Sequence, residues 1–541
     1  MMKLRTVSWM LLAAFGTAAS AAPGWVSTAT HRTEVFSDGQ PVEMAEEVAP
    51  AQEVKIAVSL KLRDRAGLDA RVAAVRAGSA NFIGREELAA RYLPTAEQVA
   101  AVVDHLTRAD FRNITVSDSR MLVSATGSAA NVKTAFNTTL HNFGAGESRR
   151  FGNVSDAQVP AALGGIVLAV HGLQNAYQFH TMIVQADAGG VGSDARTRPV
   201  GHVPTDFPTI YHADGLPAAT NARVGIITWG DMTQTLVDLA SYEASVGFTS
   251  LTPTIVYPGA HGTDTAGTPE WDLDSQTSLS AAGGRLLEMV LYPATSATNA
   301  DILTAFDRVV SDNHVKVVNF SAGECETGAV SGGYEASSDA TLAIAVAQGQ
   351  TFSISTGDSG SNECGRRAGP EGSYPAVSPY VMAIGGTTLY TTGTTVYKSE
   401  KVWRSAGGSP SSTEAAPSWQ IAAGVLSGTR RGVPDISFDA DPNSGAKIIV
   451  NGSAAQYGGT SLSAPIFTGF WARIMSQSLK TLGFPDPSIY NFAAANPSLF
   501  HDVTTGTNGS ETAHAGWDYA SGWGSVDIGA LATFIASTPS W

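Results

Sequence analysis

Three consecutive segments decide the fold: KVVNFSAG (316–323), ATLAIAVAQG (340–349) and TFSIST (351–356). The first and third are short apolar runs, typical of buried strands, and the second has the composition of a helix. A helix that joins two buried strands predicts a βαβ unit, in which the two strands are parallel.

The same alternation extends upstream to about residue 202. Strands are predicted at 224–230, 251–259 and 285–293, and helices at 234–247, 270–283 and 300–313. This order predicts an α/β domain over residues 202–541, with a parallel sheet flanked by helices. Catalytic side chains are then expected at the carboxyl ends of strands or at the amino ends of helices.

Residues 22–184 carry a different pattern, which predicts a smaller α+β domain. Thr95 is placed to cap a helix over residues 96–111. The segments 113–118 and 120–127 then follow as two strands around a turn. The chain is therefore expected to fold as two unlike domains.

Two further segments have the composition of processing signals. Residues 1–21 combine Lys3 and Arg5 with an apolar run and end in small residues, which predicts a secretory signal. A short membrane anchor is the alternative, but the run is shorter than a comfortable span. Residues 185–201 are rich in Gly and Ala without periodicity, so we expect an exposed linker that is cleaved, near Asp194–Ala195.

Composition excludes some classes of protein. Of the 541 residues, 43% are hydrophobic and 15% are charged, which argues against disorder. The net charge of −15 divides into −1 for residues 1–194 and −14 for residues 195–541. An acidic domain without a basic stripe disfavours nucleic acid as a partner. No later stretch reaches transmembrane length, so we expect a secreted protein, in the medium or the periplasm, with no membrane contact in its mature form.

Two carboxylates in TPEWDLDSQ are candidates for acid–base chemistry. With Thr268 as N-cap and Pro269 as the first helical residue, Glu270 lies in the first turn of a helix. Asp274 follows one turn later on the same face, while Asp272 points elsewhere. In a cleft such a pair raises one pKa and can share a proton. Taken alone, the pair is more often a solvated helix face.

Two further side chains stand at the ends of predicted elements. Ser461 in GGTSLSAP follows two glycines and opens an apolar helix, so it can act as a nucleophile while its N–H points to an oxyanion. Ser463 lies further inside that helix and is the poorer candidate. Asp358 in STGDSG ends a strand, and its protonated form could donate a hydrogen bond to an oxyanion. The simpler alternatives are an N-cap serine and a turn aspartate.

These residues resemble the sedolisin family, the serine-carboxyl peptidases. The resemblance covers most of the chain, is strongest to the bacterial branch, and is carried by PTDFPTIYHA, PEWDLDSQ, STGDSG, GGTTLY, PDISFDA, GGTSLSAPIF and SGWGSVDI, in family order. It implies a subtilisin-like fold and an N-terminal activation prodomain that acts as inhibitor and folding chaperone. It also implies a self-processing, acid-active enzyme, expected to be a monomer that cleaves proteins or peptides.

The resemblance assigns four catalytic roles. Ser461 would be the nucleophile, Glu270 the general base, Asp274 its partner and Asp358 the oxyanion donor. This chain departs from the branch at Ser359, where an acidic residue is usual.

The resemblance also implies a structural calcium ion and a disulfide. Its ligands would be the side chains of Asp502 and Asp518 and the carbonyls of Val503, His514 and Gly516. The family prefers glycine where His514 stands. Cys325 and Cys364 are the two cysteines of the chain, and an exported protein can bridge them; the resemblance favours the bridge over two free thiols. Another departure is Glu324, in place of an aromatic residue.

Two alternatives remain open on sequence alone. HGTDTAG (261–267) imitates the histidine segment of true subtilisins, so Asp231, His261 and Ser461 could form a triad that works near neutral pH. Gly267 and Pro269 interrupt the helix that His261 would then have to open, so we predict a loop residue. The other alternative is a binding protein without catalysis on a hydrolase scaffold.

Overall fold

The structure is a computed structural model that describes residues 24–37, 40–144, 146, 149–186, 199–365 and 369–541. Its centre is an eight-stranded sheet in the second domain. From one edge, its strands are Thr254–Ile255, Leu286–Ala294, Ala219–Trp229, Val317–Phe320, Thr351–Ser355, Met382–Thr392 and Val396–Val402, with Ile436–Asp439 pairing with Met382–Thr392. All neighbouring pairs are parallel except the last pair of the main path, Met382–Thr392 with Val396–Val402.

The predicted order of strands and helices is confirmed, with differences at the ends of elements. The helices of this domain are Phe207–Ile210, Thr233–Val246, Thr268–Ala281, Asn299–Asp312, Glu326–Ser331, Tyr334–Ala347, Ser418–Ala423, Thr460–Gln477, Asp486–Phe492 and Ile528–Ser537. The strand predicted over 251–259 is shortened to Thr254–Ile255. These two residues are the ones that pair with the neighbouring strand, Leu286–Ala294. The predicted strand 316–323 divides into Val317–Phe320, in the main sheet, and the short strand Ala322–Cys325, which pairs with residues of the first domain.

The helix Thr268–Ala281 is polar in sequence but buried on all sides. Every residue from Glu270 to Ala281 is buried, which excludes the alternative of a solvated acidic face. The helix Thr460–Gln477 packs directly against it, and Gly469 permits this contact: a Cβ there would lie 2.4 Å from the carbonyl oxygen of Ser278. The N-cap is Gly267 rather than Thr268, yet Glu270 still lies in the first turn.

The first domain has the predicted α+β architecture. Its four-stranded antiparallel sheet consists of Val167–His171, Glu53–Leu60, Leu122–Ser128 and Arg112–Val116, in that order. Its helices are Arg65–Arg76, Arg85–Arg91, Ala96–Arg108 and Ala129–Phe136. Thr95 caps the third of these with a reciprocal hydrogen bond to Gln98, as predicted.

The first domain packs on helices of the second. Ser119 Oγ donates a hydrogen bond to Asp307 Oδ1 (2.6 Å), and the N–H of Ile83 donates to the carbonyl of Ala347 (2.8 Å). The predicted signal over residues 1–21 and the predicted cut near Asp194–Ala195 lie outside the described residues. Within the described ranges, no helix has both the length and the apolar character needed to cross a membrane.

Candidate active site

The four predicted catalytic residues stand at the ends of elements around the sheet. Glu270 and Asp274 lie in the first two turns of Thr268–Ala281, and Ser461 is the second residue of Thr460–Gln477. Asp358 follows the strand Thr351–Ser355. This is the predicted arrangement, because the carboxyl ends of parallel strands and the amino ends of the following helices meet at one edge of the sheet.

Ser461 is in direct contact with Glu270. The Ser461 hydroxyl donates to Glu270 Oε2 at 2.9 Å and lies 3.2 Å from the carbonyl oxygen of Ser321. Both side chains are fully buried. Ser463, the poorer candidate, points away and accepts a hydrogen bond from the N–H of Phe438.

Asp274 is held behind Glu270 by a residue that the sequence analysis missed. Ser321 Oγ donates to Asp274 Oδ1 at 2.6 Å and accepts from Asn319 Nδ2 at 2.9 Å. Ser321 lies near the carboxyl end of the predicted strand 316–323 and directly follows the observed strand Val317–Phe320, so the rule of strand carboxyl ends could have identified it. In the part of the chain that the structure describes, neither Glu270 Oε1 nor Asp274 Oδ2 has a hydrogen-bond partner.

Asp358 is oriented by the residue before the serine. Its Oδ1 accepts from the N–H of Thr460 at 2.8 Å and from Thr460 Oγ1 at 3.0 Å. Its Oδ2 is buried and has no partner among the described residues. This oxygen lies beside Gly459, where a Cβ would be 2.6 Å from Oδ2 and 2.1 Å from the carbonyl oxygen of Met182. Gly459 therefore leaves room for a carbonyl between Asp358 and the serine.

That carbonyl belongs to a segment of the first domain that runs through the site. His180–Thr181 pairs antiparallel with Ala322–Cys325, and Val184–Gln185 pairs antiparallel with Ser453–Gly458. Between them, the N–H of Met182 donates to the carbonyl of Ser321 at 3.2 Å. The N–H of Ser461 donates to the carbonyl of Met182 at 3.1 Å. The segment therefore covers Ser461, which is fully buried.

Burial shifts the acid–base equilibria of these carboxyl groups. Loss of solvent raises the pKa of Glu270 well above its usual range, and the nearby Asp274 raises it further. Burial also raises the pKa of Asp274, against the hydrogen bond from Ser321. For Asp358, burial raises the pKa to about 7, although the N–H of Thr460 acts in the opposite direction. Asp358 is therefore neutral in acid.

A second buried carboxyl group lies behind Asp358. Glu363 Oε1 accepts from the N–H of Ser359 at 2.8 Å, and burial raises the pKa of Glu363 to about 8. Cys364 is bonded to Cys325, so the predicted disulfide is present beside this turn. Neither Glu363 nor its contact was singled out from the sequence, because its partner is a backbone group.

The histidine alternative does not reach the serine. His261 lies in a loop, as predicted, and its Nε2 is 3.3 Å from Asp231 Oδ2. The His261 side chain is 52% exposed, whereas Ser461 is buried and donates its hydroxyl to Glu270. The Asp231–His261–Ser461 triad is therefore not assembled.

The predicted calcium ligands come together at one loop near the C-terminus. Asp518 Oδ2 accepts from the N–H of His514 at 2.9 Å, and Asp502 Oδ2 accepts from the N–H of Gly516 at 3.0 Å. Ser521 Oγ touches both Asp518 Oδ1 and the Val503 carbonyl. Two carboxylates and backbone carbonyls are the oxygen donors that Ca²⁺ prefers, so the residues fit such an ion.

Comparison with known proteins identifies both domains. The family profile described as "Pro-kumamolisin, activation domain" matches residues 42–176, and that described as "Subtilase family" matches residues 232–524. Sedolisin of Pseudomonas sp. (strain 101) is 42% identical over 558 residues, which cover 97% of this chain and 94% of that protein. Xanthomonalisin of Xanthomonas sp. (strain T-22) is 40% identical over 559 residues, covering 92% and 67%.

A solved structure of Pseudomonas sedolisin, a serine-carboxyl proteinase complexed with two molecules of pseudo-iodotyrostatin, is 43% identical to this chain. It matches with a TM-score of 0.61 over 63% of this chain and 99% of that one. The high identity to sedolisin along almost the whole chain agrees with the two domain matches. The chain therefore belongs to the sedolisin family and is a serine-type peptidase of subtilase fold, preceded by an activation prodomain.

Proposed function

We propose that the protein is an acid-active serine-carboxyl peptidase in which Glu270 is the general base. The observation that carries the proposal is the 2.9 Å hydrogen bond from Ser461 Oγ to Glu270 Oε2. Ser461 Oγ attacks the peptide carbonyl, and its proton passes to Glu270. The C–N bond then breaks as Glu270 protonates the leaving amine. Water resolves the acyl ester by the same steps in reverse, which restores Ser461.

Asp274 acts on Glu270 rather than on the substrate. The two unpartnered, buried oxygens, Glu270 Oε1 and Asp274 Oδ2, would both be satisfied by one shared proton. A shared proton leaves Glu270 Oε2 free to accept from Ser461. The hydrogen bond from Ser321 holds Asp274 in the orientation that sharing requires.

Asp358 and the Ser461 N–H stabilise the tetrahedral oxyanion. The Ser461 N–H already donates to the Met182 carbonyl. Asp358 Oδ2 lies beside Gly459, close to that carbonyl, and has no hydrogen-bond partner among the described residues. A neutral Asp358 donates a hydrogen bond to the oxygen as negative charge develops there. Since burial raises the pKa of Asp358 to about 7, activity should be lost as the pH rises through that region. Removal of the prodomain segment 180–185 would admit water to Asp358 and lower its pKa, so the pH at which activity is lost would also be lower.

The first substrate is the chain itself. The Met182 carbonyl binds the same N–H that would hold an oxyanion, which favours self-cleavage of the Met182–Ile183 bond over a first cut near Asp194–Ala195. Until that bond is cut, the segment excludes other substrates, so the prodomain inhibits the enzyme. We expect export before activation, in line with the signal pattern over residues 1–21.

Intact-mass measurement after acidification tests this proposal. The proenzyme is kept at neutral pH and then acidified. A new fragment that ends at Met182 should then appear, and casein digestion should begin as this fragment forms. The matched Ser461→Ala protein should remain one full-length species and digest nothing. Fragments of the same kind from Ser461→Ala, or an uncut wild-type chain that digests casein, would contradict the proposal.

We further propose that the C-terminal loop binds one structural Ca²⁺. The side chains of Asp502 and Asp518 would hold it, together with the carbonyls of Val503, His514 and Gly516. The ion would supply positive charge that neutralises the two carboxylates and ties the loop together. Chelation should lower the unfolding temperature of the wild-type protein and leave that of Asp518→Asn almost unchanged. Equal behaviour of both proteins would exclude the site.

A further inference from the structure

The prodomain segment in the cleft has the register of a bound substrate. Met182 occupies the position before the bond to be cut, called P1, because its carbonyl accepts from the Ser461 N–H. The pairs Thr181–Ala322 and His180–Gly323 then place these residues at P2 and P3. Phe179 is consequently the P4 residue, four positions before the bond.

Phe179 inserts its ring into the catalytic domain. The Phe179 side chain is only 4% exposed. Its ring stands edge-on to Phe320, with centroids 5.6 Å apart, and to Tyr334, at 5.0 Å. Its N–H donates to the carbonyl of Ala297 at 3.0 Å. Edge-to-face contacts of this kind favour an aromatic ring beyond its apolar area alone.

The contacts of Phe179 identify it as a ligand of the cleft rather than a part of the prodomain core. Both rings that it contacts belong to the catalytic domain. It lies in the hydrophobic cluster around the catalytic sheet, which also takes in prodomain side chains such as Leu68 and Leu122, and not in the cluster inside the prodomain. The neighbouring His180 is exposed. The segment therefore buries Phe179 in the catalytic domain and leaves the next side chain at the surface. Phe320 ends a central strand of the sheet and Tyr334 begins a buried helix, so the pocket is built on rigid elements.

We infer that this pocket is a substrate subsite that selects peptides with an aromatic residue at P4. The inference rests on the proposed function, because it takes the register from the Met182–Ile183 bond. Once the prodomain leaves, the space that held Phe179 opens to solvent between Phe320 and Tyr334. An aromatic side chain of a substrate restores both ring contacts, whereas a small side chain leaves the rings of Phe320 and Tyr334 exposed to water.

A carboxyl group, that of Glu324, lies near the pocket and is uncharged at acidic pH. Glu324 follows Gly323, the residue that pairs with His180, and burial together with the nearby Glu324 carboxyl group raises the pKa of Tyr334. Glu324 is buried and accepts from Asn299 Nδ2 at 2.9 Å. Burial raises the pKa of Glu324 to about 8, so it carries no charge at acidic pH. Glu324 therefore lies near Tyr334, one of the two rings that contact Phe179.

Cleavage of matched peptides tests the inference without changing the enzyme. The substrate is an internally quenched peptide with residues 178–186 of this chain, QFHTMIVQA. It is compared with the same peptide carrying Phe179→Ala, using full-length protein that has been acidified until processing stops. We expect Phe179→Ala to lower kcat/KM by about 10- to 100-fold, the factor that corresponds to burying one phenyl ring.

A peptide carrying His180→Ala is the control, because that side chain is exposed; its kcat/KM should stay within about threefold of the parent. Mass spectrometry should find the cut after Met182 in all three. Equal kcat/KM for the parent and Phe179→Ala peptides, or no cleavage of the parent by protein that digests casein, would overturn the subsite and leave the proposed function standing. Protein that digests neither casein nor peptide would overturn both.

Discussion

Two pairs of side chains could supply the base of this enzyme, and they differ in burial. Glu270 and Asp274 lie in a dry interior, in contact with Ser461. His261 and Asp231 are in contact near the surface, with Nε2 and Oδ2 3.3 Å apart and the histidine half exposed. Both pairs are candidates for the base on sequence alone, but of the two only Glu270 and Asp274 include a residue in contact with Ser461. Contact with the serine, rather than residue type, distinguishes a base from a surface pair.

The surface pair has its own structural explanation. Asp231 Oδ1 accepts from the N–H of Thr233 at 2.7 Å, at the start of the helix Thr233–Val246. An exposed pair of this kind contributes less than about 1 kcal/mol. The segment HGTDTAG is therefore a surface loop in contact with Asp231, without a role for His261 at Ser461.

After loss of the base itself, the largest effect on activity is expected at Asp358. Asp358→Ala should lower kcat by about 10²- to 10³-fold, the range for loss of one oxyanion donor. Asp358→Asn keeps a donor that does not titrate, so it should retain more activity and extend the active range to higher pH. The measurement is a pH profile of kcat for the two variants and the wild type.

The same loss of activity at all pH values in Asp358→Asn and Asp358→Ala would argue against a donor role. Near-wild-type activity of Asp358→Ala would favour the alternative mechanism with His261 as the base, because the Asp231–His261–Ser461 triad does not include Asp358.

A smaller effect is expected at Asp274. Asp274→Asn should lower kcat by about 100-fold, the low end of what general base catalysis supplies. Asp274 raises the pKa of Glu270, so its removal lowers that pKa and should move the acid limb of kcat/KM to lower pH. An unmoved acid limb would mean that Asp274 is only structural.

The buried carboxyl groups should also govern stability. Burial raises the pKa of Asp358 to about 7 and those of Glu324 and Glu363 to about 8. Their contribution to folding is therefore fully present below about pH 4, where the unfolded groups are also protonated, and is lost as the pH rises to 8. The uncut Ser461→Ala proenzyme should melt at least about 5 °C lower at pH 8 than at pH 5. A higher melting temperature at pH 8 would contradict the assigned pKa directions.

The sequence predicted the parts of this molecule that rest on local pattern. Alternating apolar runs located the strands and helices of the sheet, and Pro269 placed Glu270 in the first turn of its helix. The ends of elements located Asp358 and Ser461. Local pattern and the rule of strand ends therefore suffice for the sheet and for the residues at its edge.

The remainder depends on contacts between distant segments. Ala322–Cys325 is too short and too polar to identify as a strand, and its partner is His180–Thr181, over 100 residues away in the chain. Met182 has no motif, and only the fold brings its carbonyl to Ser461. Ser321 and Glu363 bind through hydrogen bonds that leave no periodic signal. Burial of the helix that carries Glu270 follows from packing of a second helix, which composition does not predict.

The most direct test of the central claim is the kcat/KM of Glu270→Gln and His261→Ala, measured side by side at acidic pH. The prodomain is first removed from both with an added peptidase, because Glu270→Gln cannot process itself. Glu270→Gln keeps the shape of the side chain but cannot accept the serine proton, so kcat/KM should fall by at least about 10³-fold. His261→Ala should stay within about twofold of the wild type. Loss of activity in His261→Ala with retention in Glu270→Gln would contradict the account.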